Sequence, residues 1–490
     1  MAVVKALAHD WLEPADVYAN DPIIAMLKLH EPGQVFVPAT VQGISPLGLD
    51  VTVDAAAFTL GVVNCEIDVQ LAVAGQTLDF RTLVIGRSAT VSGQVQLALR
   101  FASVSPRPLR GAKDINVSSE VDDSAPHLWG CSAEFFPTAL APNPARYNDY
   151  IYFKVLAISA RGLRVVCSQR NKMLLPNLRL RLQMSLPMVG DSTFDVRVDR
   201  VSVGADDDNR NFEVVVEVLK LENYAREMIA QYLIQFGRVD SLDALRADGL
   251  NPPSVARGVD FYFLRSKQDH AEVLKLRLAA HRQFGNLSCS DVRAEDLDDP
   301  VDDSARILIG KHKGRTVASA RLRFLRRDQP LPMQAHIHCS EALPPHDQMV
   351  EVSRACTDPE YRRGNLFANV VHQLFVSSIP AGRPYILLVS LPNLLSFYKS
   401  IGCKQLGPTQ RDEFWNGEQH LMLINAVNVC LGRDVGPAVW NLMFREPYDY
   451  LLEQGALHPA LLDRIRLACY RGVGLVTDLW FWLFRPKILV

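Results

Sequence analysis

The feature that most constrains this chain is a change of texture at Asp260. Before it, apolar and polar residues alternate in short runs broken by Gly and Pro. After it, such runs are interleaved with stretches whose apolar residues recur every three or four positions. Alternation places successive side chains on opposite faces of a strand, whereas the longer period gathers them on one side of a helix. The two halves therefore need different cores, and a length of 490 residues suits roughly two to four domains.

Residues 30–105 read as short strands, among them Val35 to Val41, Leu49 to Val53 and Val95 to Phe101, and predict a small β-barrel. Residues 1–29 stand before it as an N-terminal segment. Residues 106–145 hold Pro, Ser, Asp and Asn with little apolar periodicity and read as a linker. The strand pattern returns over 146–240 and predicts a second barrel, closed by an amphipathic helix from about Leu221 to Phe236. The two look like one unit used twice: Gly43-Ile-Ser-Pro-Leu-Gly-Leu-Asp-Val parallels Ala157-Ile-Ser-Ala-Arg-Gly-Leu-Arg-Val.

Charge and cysteine content exclude several classes of function. There are 52 basic and 54 acidic side chains, a balance that offers no bulk attraction for a nucleic-acid polymer. The nine cysteines are scattered with no Cys-x-x-Cys, so free thiols and a reducing, cytoplasmic setting are expected rather than a zinc ribbon or disulfide framework. The first 29 residues lack the basic and apolar regions of a secretion signal, and no uncharged apolar run is long enough to span a bilayer. No metal is expected. The acidic run Asp296 to Asp303 lacks the glycine and closing Glu of a calcium loop, and His336 and His338 have no third ligand in view.

From 258 to 430 the pattern predicts an α/β domain with a largely antiparallel sheet. A helix runs from Asp269 to Phe284, and a hairpin turns at Lys313-Gly314. A strand follows over Met349 to Ala355, then a helix from Gly364 to Ser377, a strand from Tyr385 to Leu391 and a short helix ending near Gly402. Residues 431–490 read as a helical extension. Its aromatic run, with Trp480, Trp482 and Phe484 among Arg471, Arg485 and Lys487, suits peripheral contact with a membrane surface; packing as a terminal helix is the commoner explanation.

Within this domain, Glu351-Val-Ser-Arg354 followed by Asp358-Pro-Glu-Tyr-Arg-Arg-Gly364 and a helix resembles the GNAT acyltransferases. The Glu-x-Ser-Arg form is most similar to N-acyl amino acid synthases and acyl-homoserine-lactone synthases. Leu276-Arg277-Leu leading to Phe284-Gly285, Asp299-Pro-Val-Asp302, and Ala320-Arg321-Leu322 resemble further motifs of that group in the same order. The resemblance implies an enzyme that moves an acyl group, of long chain, from acyl carrier protein or coenzyme A onto the amine of an amino acid or similar small molecule. No permanently bound cofactor is implied.

Under that resemblance Glu351 is the candidate base, since an attacking amine must lose a proton. Arg354, Arg321, Arg277, Asp299 and Asp302 hold substrate or one another. Arg362, Arg363 and Gly364 start the helix that would receive the donor's phosphates, and Tyr398 stands where GNAT enzymes place the proton donor to the departing thiolate. An ideal strand would point Glu351 and Arg354 to opposite faces, so the reading requires a bulge near Val352. The phosphate loop departs from the GNAT form in having one glycine rather than two, and His281 stands where relatives carry an aromatic residue.

The two barrels resemble PilZ domains, which bind cyclic di-GMP through an Arg-x-x-x-Arg arm and an Asp/Asn-x-Ser-x-x-Gly strand. Ser45 and Gly48, and again Ser159 and Gly162, keep part of the second motif. The acidic or amide position is Gly43 in one copy and Ala157 in the other, and neither has the arginine arm. These departures argue against nucleotide binding and favour a scaffold. The rival reading is a cyclic di-GMP-responsive regulatory or scaffold protein whose transferase domain no longer turns over.

Overall fold

The computed structural model describes residues 23–29, 35–55, 63–89, 93–102, 128–144, 149–203, 211–284, 291–327, 343–362, 365–412 and 417–484. The expectations placed on Gly285, His336, His338, Arg363, Gly364, Arg485, Lys487 and most of the 106–145 linker lie outside these residues. Two compact units divide the chain, residues 1–253 and 254–490.

The first unit holds two closed antiparallel barrels. In the first, strands β1 (Ile24–Leu29), β2 (Val37–Ser45), β3 (Gly48–Asp54), β4 (Glu66–Val73), β5 (Gln76–Ala89) and β6 (Gln94–Phe101) join in the order β1-β2-β3-β6-β5-β4, and β1 pairs with β4 to close the ring. Alternation does what period two requires: Ile67, Val69, Leu71 and Val73 of β4 are buried, and the residues between them are not. Closure leaves no free edge.

The second barrel uses β7 (Trp129–Gly130), β8 (Thr138–Pro142), β9 (Tyr150–Ile158), β10 (Gly162–Ser168), β11 (Arg179–Leu186), β12 (Gly190–Val203) and β13 (Asn211–Lys220). Pairing of β9 with β10 closes a six-stranded ring, and β7 adds to β9. The barrels therefore reach beyond their expected limits. β1 comes from the 1–29 segment, and β7 and β8 from the 106–145 segment. Ile24-Ala-Met-Leu-Lys-Leu and Thr138-Ala-Leu-Ala-Pro hold too few polar residues to alternate in sequence, and β7 has only two residues, so the partners they pair with reveal them. Helix α1 (Asn223–Gln235) packs on this barrel through Tyr232, which is buried and whose hydroxyl donates to the Phe135 carbonyl at 2.8 Å.

The repeated Ser-x-x-Gly has a structural use in both copies. Ser45 Oγ accepts from the Leu47 amide at 3.2 Å, and Ser159 Oγ accepts from the amides of Arg161 and Gly162 at 3.1 and 2.9 Å. Each hydroxyl closes the tight turn between paired strands. Gly48 is required by its neighbour, because a Cβ there would stand 2.0 Å from the Leu99 carbonyl oxygen.

The second unit is built on a seven-stranded sheet. Its strands are β14 (Val259–Phe263), β15 (Arg306–His312), β16 (Arg315–Phe324), β17 (Met349–Thr357), β18 (Tyr385–Ser390), β19 (Lys404–Asp412) and β20 (Gly417–Asn425), in the order β14-β15-β16-β17-β18-β20-β19. All neighbours are antiparallel except β17 and β18. The expected hairpin forms with Lys313 and Gly314 at φ 48° and 85°, the left-handed pair that lets a two-residue turn match strand twist. Helix α2 (Lys267–Phe284) packs on β16 and β17, and α3 (Leu366–Ser378) follows β17. The short α4 (Leu395–Ser400) leads from β18 towards β19.

The C-terminal helices do not trail from this unit. They are α5 (Ala426–Cys430), α6 (Arg445–Glu453) and α7 (Leu461–Phe484), with a π-helical turn at Trp440–Phe444. Phe444 stacks on Phe375 of α3 with ring centres 5.5 Å apart, and the buried Trp440 donates through Nε1 to the Cys430 carbonyl at 2.8 Å. Among the described residues no helix is long and apolar enough to cross a membrane.

Gly48→Ala should destabilise the first barrel by about 1–3 kcal/mol, the usual range for forcing atoms into a filled site. Chemical unfolding followed by circular dichroism measures it; a change under about 0.5 kcal/mol would mean that the β3–β6 approach has room to relax.

Candidate active site

Strand β17 sets the geometry. Arg321 of β16 pairs with Ser353, but Ser319 pairs with Cys356, so Arg354 and Ala355 together oppose Ala320. This is a β-bulge, and Arg354 takes the left-handed conformation at φ 53°. The bulge required by the motif is present, two residues beyond Val352. It brings Arg354 to the face that carries Glu351 and Ser353, where all three meet the row Ser319, Arg321 and Arg323 of β16.

A chain of opposite charges runs across that face. Arg277, fully buried in α2, donates through Nη1 to Asp302 at 2.6 Å. Asp302 also accepts from Arg321 Nη1 at 3.0 Å, and the same nitrogen reaches Asp299 at 2.7 Å. Arg321 Nε donates to Ser353 Oγ at 2.9 Å, and Arg354 Nη2 approaches Asp299 at 3.4 Å. The aspartates are held by their own segment: Asp299 caps the helical turn Pro300–Ser304, accepting from the Val301 amide at 2.9 Å. That turn is what the Asp-x-x-Asp spacing provides. Burial would raise both aspartate pKa values, but the arginine contacts overcome it, so Asp299 is held at about 2 and Asp302 also lies below its ordinary value.

Glu351 lies beside this chain and is 3% exposed. Its Oε2 stands 4.0 Å from Arg323 Nη1, and neither atom has a hydrogen-bond partner among the described residues. Burial pushes the Glu351 carboxyl above its ordinary range against the pull of Arg321 and Arg323. Ser319 Oγ on the same row is also unpartnered. Buried polar atoms left unsatisfied on one face mark a place for a ligand or ordered water. His281 faces the group from α2; burial, then Arg354 and Arg277, lower its pKa to about 4, so it is neutral near pH 7.

Beyond Val352 and Leu388 the pairing of β17 with β18 ends, although both strands continue. Past that point the facing edges of the two strands are not paired with each other. Past β17, Asp358 caps the turn Pro359–Tyr361 and receives Arg315 Nη2 at 2.7 Å, while His312 Nδ1 and the Tyr361 hydroxyl meet at 2.5 Å. Asn365, at the N-terminus of α3, is tied by its side chain to Ser254 and the Ala256 amide and makes no cap to its own helix. Arg362 hydrogen-bonds Gln283 of α2.

The expected residues thus fall into two groups. Arg277, Asp299, Asp302, Arg321 and Arg354 form one continuous network with Glu351 at its edge. Tyr398 sits elsewhere, its ring against Phe397 at 5.6 Å and Phe367 of α3 at 6.5 Å, and none of its described contacts reaches Glu351. Burial, then the nearby Cys403, raises the Tyr398 hydroxyl to about 12, which keeps the proton on it. Ser353 and Arg323 were not singled out from the sequence, although Arg323 follows Arg321 at the strand period and a pair of inward arginines was there to be read.

Residues 272–425, which contain every member of both groups, match the family model FeeM, N-acyl amino acid synthase. The C-terminal unit is an acyltransferase domain. Solved structures similar to it include FeeM, an N-acyl amino acid synthase from uncultured soil microbes, at 12% identity over 35% of this chain and 93% of that one, with a TM-score of 0.28. BjaI, a CoA-dependent acyl-homoserine lactone synthase, aligns at 16% identity over 43% of this chain and 98% of its own, TM-score 0.30. ElaA from Escherichia coli aligns at 17% over 34% and 99%, TM-score 0.25. No curated protein matches the sequence.

His270, Asp298 and Asp302 bring one ligand atom each within 4.8 Å of one another. Asp302 is already engaged by two guanidinium groups, which would repel a cation, so this cluster in the acyltransferase domain is read as part of the charge chain.

Arg277→Met should destabilise the acyltransferase domain by about 3–5 kcal/mol, because it strands Asp302 in a buried position. Urea unfolding monitored by tryptophan fluorescence checks this, and a loss below about 1 kcal/mol would mean Arg321 alone satisfies Asp302.

Proposed function

We propose that the acyltransferase domain moves a long-chain acyl group from a thioester, carried by acyl carrier protein or coenzyme A, to the amine of an amino acid or similar small molecule. The observation that carries this reading is the charge balance of the buried chain. Four guanidinium groups, Arg277, Arg321, Arg323 and Arg354, stand with three carboxylates, Asp299, Asp302 and Glu351. A surplus of buried positive charge beside an unpartnered carboxylate suits a substrate with a carboxylate at one end and an amine at the other.

In this mechanism the amine lone pair attacks the thioester carbonyl carbon. Glu351 Oε2 takes the amine proton, directly or through one water, and its raised pKa brings it closer to an amine's needs than an ordinary carboxylate. Backbone amides on the parted edges of β17 and β18 would face the oxyanion. Collapse of the tetrahedral intermediate forms the amide and breaks the carbon–sulfur bond, and Tyr398 supplies a proton to the thiolate. The donor's phosphates would lie at the start of α3 near Arg362, Arg363 and Gly364; the redirected Asn365 side chain leaves that helix end without a side-chain cap. No cysteine is required. Cys356 lies in the same strand, but burial raises its thiol to about 11, so little thiolate exists at neutral pH.

We read the two barrels as PilZ-like scaffolds, since Ser45 and Ser159 are engaged in closing turns.

Glu351→Gln should lower turnover by about 10²-fold or more with an unchanged circular dichroism spectrum. Mass spectrometry of lipid extracts from cells expressing each form should show new N-acylated amines with the wild type only. In the wild type, kcat/KM should rise with pH through a limb above the ordinary carboxylate range, because the base must be ionised. Equal product from both forms would remove Glu351 from the mechanism.

A further inference from the structure

Helix α7 shows two unlike sides. Successive residues turn by about 100° around an α-helix. On one side Asp463 and Leu467 are buried, and a Cβ at Gly474 would stand 2.8 Å from Asn441. The opposite side carries Leu461, Leu462, Ile465 and Val473, which are 73%, 75%, 54% and 43% exposed. No charged residue of 461–474 falls in this sector. Four large aliphatic side chains in water along one helical face are unlike the scattered exposed apolar residues of an ordinary surface.

Charge identifies what would cover the face. Arg464 and Arg466 flank the sector, one on each side. Between Leu461 and Val490 there are five basic residues, Arg464, Arg466, Arg471, Arg485 and Lys487, against two acidic ones, Asp463 and Asp478; Arg466 and Arg471 pair with Asp463 and Asp449, and Arg464 is exposed. Asp463 is buried and engaged by Arg433 and Arg466, at 2.7 and 3.0 Å. A second copy of the helix would bring like charge against like charge, whereas phosphate headgroups would meet it with the opposite sign. We propose that α7 is a surface anchor that lies along an anionic lipid bilayer with its Leu461–Val473 face in the headgroup region. It binds the surface without crossing it. This assignment is independent of the acyl-transfer reading.

The full chain should co-sediment with phosphatidylcholine vesicles that contain phosphatidylglycerol, far less with phosphatidylcholine alone, and less again at high salt. Ile465→Glu combined with Val473→Glu should lower partitioning at least about tenfold, since both lose apolar contact with lipid. Arg464→Glu should selectively reduce the preference for phosphatidylglycerol. All three side chains are on the surface, so unfolding midpoints should match the wild type. Absence of partitioning to either vesicle would overturn the proposal. So would a wild-type dimer in light scattering that the double variant dissociates without any change in lipid binding, which would assign the face to a second copy.

Discussion

The alternation of charge from Arg277 through Asp302, Arg321 and Asp299 to Arg354 is the interaction on which the acyltransferase domain depends. It ties α2, the turn at Pro300–Ser304, β16 and β17 into one unit. Taking these charges out of water is costly, and the cost is offset only where each guanidinium faces a carboxylate in good geometry. The contacts of Arg277 and Arg321 meet that condition at 2.6 to 3.0 Å. The contact of Arg354 is longer and is made from a left-handed backbone, a conformation costing a non-glycine residue on the order of 1 kcal/mol. Backbone strain and a long ion contact therefore coincide at Arg354.

The same strand carries both the charge chain and the point where pairing with β18 ends. Because β17 bulges at Arg354 and parts from β18 after Val352, its two edges serve different purposes. One edge keeps antiparallel pairing with β16, and Glu351 and Ser353 rise from the face they share with Arg321 and Arg323. The other is paired with β18 only as far as Val352. On the far side of the bulge, Asp358 and Tyr361 are fastened by Arg315 and His312, so the approach to α3 is built from the same sheet. Arg383 adds a further brace, donating to the carbonyls of Leu325 and Met349 at 2.5 and 3.0 Å where β16 ends and β17 begins.

In the first unit the same economy of polar groups shows in a different form. Ser45 and Ser159 are buried at equivalent turns, and a buried hydroxyl needs a partner. Backbone amides two or three residues on supply it. The Ser-x-x-Gly that recurs in both copies closes the turn between paired strands in each barrel.

Much of this was legible in the chain itself. Period-two alternation located most barrel strands, the duplicated Ser-x-x-Gly revealed two related barrels, and Lys313-Gly314 announced the hairpin, because these signals are local and depend on backbone preference. Motif order also gathers Glu351, Arg354, Arg321, Arg277, Asp299 and Asp302 from the sequence alone. Other features depended on neighbours distant in sequence. β1 and β8 are nearly all apolar and β7 is two residues long, so none shows a polar–apolar period and each is revealed by its pairing. The bulge at Arg354 follows from how β17 meets β16, and no local rule distinguishes a bulge there from one at Val352. The outward face of α7 could be told from its buried face only when Leu467 and Asp463 were seen against the rest of the domain. Propensity and periodicity are properties of the chain; register, burial and charge pairing are set by contacts, and those the tertiary structure alone decides.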